Sequence, residues 1–425
     1  MQAALRRLIR SSLLLPVLPL SFKLWVGMLR LLRILPTLHK SGVRSYKRIL
    51  VIGLTKHVGD VVMMLPLIEA LQAADVDTEI EVAVEPAMAG FLRSMPCITR
   101  VHAIECGAAS LPILHFYRRI WRILRYYQTS MSAVRYDICL LPRWGVDPTA
   151  SAYLAYLSGA PQRIGQDPRE EAGADNIVAG SACLVTRQIK GGQGLPESLR
   201  QLRLLTETGI IFPVDFIAAE HKPIGLLDSV AESVNVEALC FKLGWDSKRK
   251  YAVLAPGASH PSRQWPVERF VEAALALHAK YDVGFLAIGS KDETRFGEEM
   301  AKAAPGIIYS AVGKTNLFES TSLMSRASLF IGNDSGPGHI AAGLGVPSII
   351  VSSCPASSTV EGPNSPSRVR PVGPHVRVIQ PADSERACQH RCQAKTPHCI
   401  ARVDTKEVVE YASKMIVDVS KCVRH

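Results

Sequence analysis

The chain has 425 residues, 48% of them hydrophobic, and carries 49 basic against 38 acidic side chains, a formal excess of +11. That length and apolar content suffice for two hydrophobic cores. The charge excess is local: the first acidic residue is Asp60, residues 1–59 hold 11 Lys and Arg, and the remaining 38 basic and 38 acidic residues cancel, which argues against a broadly basic nucleic-acid-binding surface.

Residues 1–46 read as one basic, apolar segment, including LRRLIRSSLLLPVLPLSFKLWVGMLRLLRIL. Its longest uncharged run is Ser11 to Phe22, 12 residues broken by Pro16 and Pro19. A spanning helix needs about 20 apolar residues, so no transmembrane helix is expected. Lys23 follows the run and no small-x-small cleavage site stands nearby, which disfavours a signal peptide. The segment is expected to lie on anionic lipid; the plainer alternatives are an N-terminal helix packed on the protein or a disordered extension. The first core strand is expected only near Ile49, so removing the segment should release the protein from the membrane with the catalytic cleft intact.

Ile49 to Leu71, ILVIGLTKHVGDVVMMLPLIEAL, reads as an apolar strand, a loop, Gly59-Asp60, and a helix with apolar residues at Val61, Val62, Leu65, Ile68 and Leu71. Further strands are expected at Glu79–Val84, Thr99–Ile104 and Tyr136–Leu141. Between the last two lies the basic, aromatic stretch HFYRRIWRILRYY, His115 to Tyr127, whose plain reading is an amphipathic helix with a solvated arginine face. The first domain is taken as 47–225 and a bridge as 226–250, marked by Pro213, Pro223, Gly225 and the polar Asp246 to Lys250.

The second domain is taken as 251–425. Its strands are expected at Tyr251–Leu254, Gly284–Ile288, Ile307–Tyr309, Leu329–Ile331, Ser348–Val351 and Val376–Ile379. Helix-like stretches alternate with them, the pattern of parallel α/β sheets. After Leu254 comes APGASHPSRQWPVERF, and Val267 to Tyr281 reads as an amphipathic helix. Arg263 carries a planar fork suited to a diphosphate; most arginines before a helix are only surface residues. Leu329 to Val351, LFIGNDSGPGHIAAGLGVPSIIV, is strand, glycine loop, helix, turn and strand. Asn333, Asp334 and Ser335 are natural N-cap residues. Gly336 and Gly338 allow close backbone approach, Pro337 suits a first helical turn, and His339 to Leu344 reads as helix. Free amides at such a helix start suit a phosphate. The loop matches neither Walker nor GxGxxG spacing. Each glycine loop ends a strand with an acid beside it, and ligands of open α/β sheets bind at the carboxyl ends of strands, so an interdomain cleft is expected.

There are 10 cysteines. Six are scattered singly, as in a reducing compartment. Cys388, His390, Cys392, His398 and Cys399 cluster in ACQHRCQAKTPHC. Free thiols are the leading reading; a structural zinc on Cys388, His390, Cys392 and Cys399 and a disulfide are the alternatives.

Six segments together resemble the heptosyltransferase-like glycosyltransferases, glycosyltransferase family nine, which includes the ADP-heptose–lipopolysaccharide heptosyltransferases. They are ILVI…GDVVMMLPLIEAL, SGAPQRIG, PGAS…QWPVERF, VGKTNLFE, GNDSGPGHIAAGLGVP and CIARVDTKEVVE, in the family's order over roughly residues 47 to 415. The resemblance implies a GT-B architecture, α/β, of two Rossmann-like domains with parallel sheets facing across a cleft. It implies an inverting, metal-independent transfer of a sugar, a heptose first, from a nucleotide sugar to a lipopolysaccharide-type or other glycan acceptor. No cofactor is implied beyond the donor co-substrate, for which an ADP-sugar is expected. Asp60 matches the family's Gly-Asp motif and is the candidate general base. Arg263, Ser259, Asp334, Ser335, Gly336, Gly338 and His339 are the candidate donor-binding residues. The implied partners are the nucleotide sugar, a lipid-linked saccharide and an anionic membrane surface, with the enzyme peripheral on the cytoplasmic face. The alternatives are a degenerate, non-catalytic glycan-binding or assembly protein of the same fold and a nucleotide-sugar epimerase.

Overall fold

The computed structural model describes residues 22–24, 47–105, 112–143, 150–167, 183–192, 194–210, 222–357, 365–383 and 395–422, with backbone alone at 112–117 and 418–422. The chain divides into two compact units, 1–217 and 218–425.

The first unit is built on β1 (Arg48–Ile52), β2 (Glu79–Val84), β3 (Ile98–Ala103), β4 (Ile138–Leu141), β5 (Gln162–Gln166) and β6 (Arg187–Ile189), in the spatial order β3-β2-β1-β4-β5-β6. All pairings are parallel. The second holds β7 (Tyr251–Ala255), β8 (Gly284–Ala287), β9 (Ile308–Ser310), β10 (Phe330–Asn333), β11 (Ser348–Val351) and β12 (Val376–Ile379), ordered β12-β11-β10-β7-β8-β9 and again parallel. Counted along its own unit, each sheet runs third, second, first, fourth, fifth, sixth. Both are therefore doubly wound, and in both the winding reverses between the first and fourth strands.

In the first unit, α1 (Val58–Ala74) follows β1 and buries every residue from Val61 to Ile68, with Ala70 and Leu71. It is apolar nearly all round because it is covered on more than one side, with α4 (Glu197–Leu202) packed against it. The side chains of Leu50, Ile52, Ala83, Cys139 and Leu141 share a core with α2 (Pro112–Tyr126), the π-helical turn Tyr127–Met131 and α3 (Ser151–Leu157). Phe22 belongs to this core: it is 7% exposed, its ring 4.8 Å edge-on from Tyr153 and 6.2 Å from Tyr156. An aromatic side chain of the N-terminal segment thus packs into this core beside α3.

Beneath α2, Glu81 (2% exposed), His102 (1%) and Tyr136 (3%) form a buried polar network. Glu81 Oε2 lies 2.6 Å from His102 Nε2 and accepts from the Tyr136 hydroxyl at 2.6 Å, while His102 Nδ1 meets the Tyr126 hydroxyl at 3.3 Å. Burying these groups is tolerable because each finds polar partners.

In the second unit, α5 (Val267–Tyr281) and α7 (Thr405–Cys422) pack together on one face. Trp265, 1% exposed, stacks edge-on with Phe270 at 5.0 Å and donates from its indole to Val403 O at 3.2 Å. The glycine-loop helix is α6 (Gly336–Gly343), beginning ahead of the expected His339 because Ser335 is extended and Gly336 and Pro337 already take the helical turn. The expected strands are all found, shifted by at most two residues at an end. β5 and β6 were not among them.

Candidate functional site

In the first unit the switch between strand directions lies at β1 and β4. The chain leaving β1 turns at Gly53, where a β-carbon would stand 2.7 Å from Met64 Sδ of α1, so strand end and helix meet closely. Thr55 then organises the loop. Its hydroxyl accepts from the His57 amide at 3.1 Å and donates to Asp60 Oδ2 at 2.8 Å. Thr55 is 8% exposed, and Asp60 is half-buried in the first turn of α1. A carboxylate there is favoured by the helix dipole, by about 0.3–1 kcal/mol. Asp60 makes no other hydrogen bond among the described residues, so Oδ1 keeps its accepting capacity. The arrangement presents an oriented carboxylate at a strand end, which is what proton abstraction from a hydroxyl needs.

In the second unit the switch lies at β7 and β10, and two loops meet over it. Asn333 closes β10 and is fully buried; its side chain accepts from the Trp265 amide at 2.9 Å and donates to Pro256 O at 2.6 Å. One amide thereby ties the loop after β7 to the loop after β10. Arg263 ends a short helical turn, Pro261–Arg263, and its Nη2 donates to Asp334 O at 2.6 Å and to Asp334 Oδ2 at 3.2 Å. The side chains are 21% and 7% exposed. Arg263 and Asp334 are thus brought together, and Nε and Nη1 of the guanidinium make no hydrogen bond among the described residues.

Ser335 caps α6 with extended backbone, its hydroxyl donating to Asn333 O at 3.2 Å rather than serving the helix amides. Gly336, the first helical residue, has an amide without an intrahelical acceptor by position. The Gly338 amide donates to Ser335 O at 3.0 Å, so it is committed to the helix. Gly338 instead permits packing: a β-carbon would lie 2.8 Å from Ile350 Cδ1. His339 is buried on α6 and Ser259 is exposed on the loop after β7.

Two residues of this region escaped the sequence reading. Thr55 carries no motif of its own and becomes visible only through its bond to Asp60. Glu293 forms a capping box with Ser290, accepting from its amide at 2.7 Å. Its carboxylate lies against Gly257, where a methyl group would collide with it. The capping-box spacing Ser-x-x-Glu was the one available signal. Of the tail cluster, Cys388, His390 and Cys392 lie outside the described residues; Cys399 is a buried free thiol. Among the described residues no His, Cys, Asp and Glu gather as a metal site, and no helix is long and apolar enough to cross a membrane.

A family model for glycosyltransferase family 9 (heptosyltransferase) matches residues 126–398. The lipopolysaccharide heptosyltransferase 2 of Escherichia coli K12 is 26% identical over 344 residues, covering 78% of this chain and 88% of that protein. A lipopolysaccharide core heptosyltransferase of Haemophilus influenzae is 32% identical over a shorter stretch of 105 residues, 24% of this chain and 30% of that protein. The solved Escherichia coli heptosyltransferase WaaC with ADP superposes with a TM-score of 0.63 at 17% identity, covering 87% of this chain and 99% of that one. The two doubly wound units have the GT-B fold, and the chain is a glycosyltransferase belonging to family 9.

Proposed function

We propose that the protein transfers a heptose from an ADP-sugar to a lipopolysaccharide-type acceptor, with inversion and without a metal ion, at the cytoplasmic face of a membrane. The observation that carries this reading is the pair of strand-end constellations. One offers an oriented carboxylate, the other a guanidinium and a helix start. Relatives named for heptose transfer to lipopolysaccharide, and a neighbour solved with ADP, support the choice of donor and acceptor.

In this reading Asp60 takes the proton from an acceptor hydroxyl as its oxygen bonds to the anomeric carbon. The bond from that carbon to the diphosphate breaks, and its electron pair leaves with ADP. Attack from the side opposite the leaving group inverts the anomeric centre. Charge developing on the diphosphate is met by Nε and Nη1 of Arg263 and by the Ser335 and Gly336 amides, fixed before the reaction begins. Ser259 and His339 add donors. Asp334 holds Arg263 and orients the loop. The basic N-terminal segment keeps the enzyme beside its lipid-linked acceptor.

The test is mass spectrometry of the purified protein with ADP-, UDP- and GDP-sugars, with and without a truncated lipopolysaccharide acceptor, in the presence of EDTA. Transfer from an ADP-heptose that persists in EDTA, with an inverted product by NMR, is expected. Transfer only from another nucleotide sugar, a retained anomer, or loss of activity in EDTA would each overturn the corresponding part.

A further inference from the structure

The outward face of α2 has an unusual composition for a helix beside a buried core. Ile120 and Ile123 point inward, 7% and 0% exposed. Arg118, Trp121, Arg122 and Arg125 point outward, at the i, i+3, i+4, i+7 spacing of one helical stripe, and all are exposed. Trp121 is 58% exposed, with the Arg125 guanidinium 5.5 Å from its ring centroid. The helix Pro112–Tyr126 contains no acidic residue. Among the described residues Arg122 and Glu105 form a loose pair at 3.6 Å, both side chains exposed. The inward side is anchored by the buried network, through Tyr126 and His102.

Phe22 is the point at which the described part of the N-terminal segment meets this unit's core. α3 packs against α2 and holds Phe22 through Tyr153 and Tyr156. Leu24, two residues on, is 70% exposed. Phe22 thus joins the core that the inward residues Ile120 and Ile123 of α2 also line.

We propose that the outward face of α2 is a docking surface for anionic phospholipid headgroups, with Arg118, Arg122 and Arg125 on the phosphates and Trp121 at the boundary with the acyl chains. The proposal rests on the membrane reading above and adds a folded contact to the segment. An indole left in water between arginines suits a bilayer interface, where its ring is apolar and its N–H stays hydrated. The stripe from Arg118 to Arg125 spans roughly 10 Å at the helical rise per residue, longer than one phosphate and matched to several neighbouring headgroups.

The test uses the full chain and vesicles of phosphatidylcholine with and without phosphatidylglycerol, containing a dibrominated phosphatidylcholine that quenches tryptophan at the interface. Wild type minus Trp121→Phe isolates the Trp121 signal; wild type minus Trp25→Phe isolates the N-terminal segment. Quenching of Trp121 only in the phosphatidylglycerol vesicles is expected. Each arginine contributes about fivefold in partitioning, so Arg118→Ala/Arg122→Ala/Arg125→Ala should bind roughly 100-fold more weakly, while activity on a soluble acceptor is kept. Circular dichroism checks that the variant is folded. If Trp25 is quenched and Trp121 is not, the α2 proposal fails and the segment reading stands. If Trp121 is quenched and Trp25 is not, the segment reading fails alone. If the triple variant binds vesicles normally but has a raised KM for the acceptor saccharide, the face serves the glycan and the lipid proposal is overturned.

Discussion

Asp60 is held by a single side-chain hydrogen bond from Thr55, and that contact separates chemistry from positioning. Asp60→Asn should lower turnover by about 100- to 10,000-fold, the usual weight of a general base, with nucleotide affinity within a few-fold. Steady-state kinetics with a verified donor and acceptor, together with calorimetry, provide the check; wild-type turnover would remove Asp60 from the chemistry. Arg263 behaves differently because its partner is Asp334. Arg263→Ala removes a charge-assisted donor worth about 1.5–3 kcal/mol and strands a carboxylate that is only 7% exposed. We expect ADP affinity to fall at least tenfold, by that same magnitude, and thermal stability to fall with it. Asp334→Asn in the Arg263→Ala background should recover stability but not ADP binding. Recovery of both would make Arg263 a structural residue. Sequence alone offered each side chain separately. Their pairing joins positions 71 residues apart, which no local pattern encodes.

Among the elements, β5 shows why a strand can be invisible in a sequence and still be central. Gln162–Gln166 is QRIGQ, without an apolar run, yet four of its five residues are buried. Its polar side chains reach backbone carbonyls instead: Arg163 donates to Leu184 O and Ala160 O, and Gln166 to Arg200 O. β6 is only three residues long at the sheet edge. Strands that were legible, such as β2, β11 and β12, are compact runs rich in Val and Ile. The network linking β2, β3 and α2 was equally hidden, and it carries a pH signature. Burial, reinforced by the hydrogen bond to Glu81, pushes the Tyr136 hydroxyl far above the ordinary tyrosine range. The unfolded chain ionises this group at about pH 10. The stabilisation is therefore complete below pH 10 and lost as pH rises beyond it. For Glu81 burial opposes ionisation, but hydrogen bonds from His102 and Tyr136 outweigh it and hold the carboxyl below its usual value. That contribution is present above about pH 4.3 and lost as pH falls further. Tyr136→Phe should cost about 1.5–3 kcal/mol at neutral pH and flatten the alkaline limb. Urea midpoints of both proteins from pH 5 to 11 would read this, and an unchanged alkaline limb would contradict it.

For the whole molecule, the two-unit plan was legible because the chain repeats one device, an apolar strand followed by a glycine loop and a helix. The identical strand order of the two sheets was not, since order depends on crossovers that composition does not record. The N-terminal segment was read as basic and apolar, but which of its apolar side chains packs on the fold was not legible, and it is Phe22 that does so. Phe22→Ala should destabilise the first unit by about 3 kcal/mol, the cost of an emptied aromatic site. Differential scanning calorimetry of the full chain is the measurement; an unchanged first transition would mean that the ring is not held.

Phe22 also changes how the segment must be pictured as a tether. The chain between Phe22 and Arg48 is fastened to the same unit at both ends, by the ring against α3 and by the first strand of the sheet. A cord fixed at both ends can rise no further than half its contour, about 45 Å for this length at full extension. That bound holds for Trp25 and every basic residue in the span, whatever path it takes. In the proposed membrane reading, a bilayer bound by this span would draw the first unit close instead of holding it on a long leash.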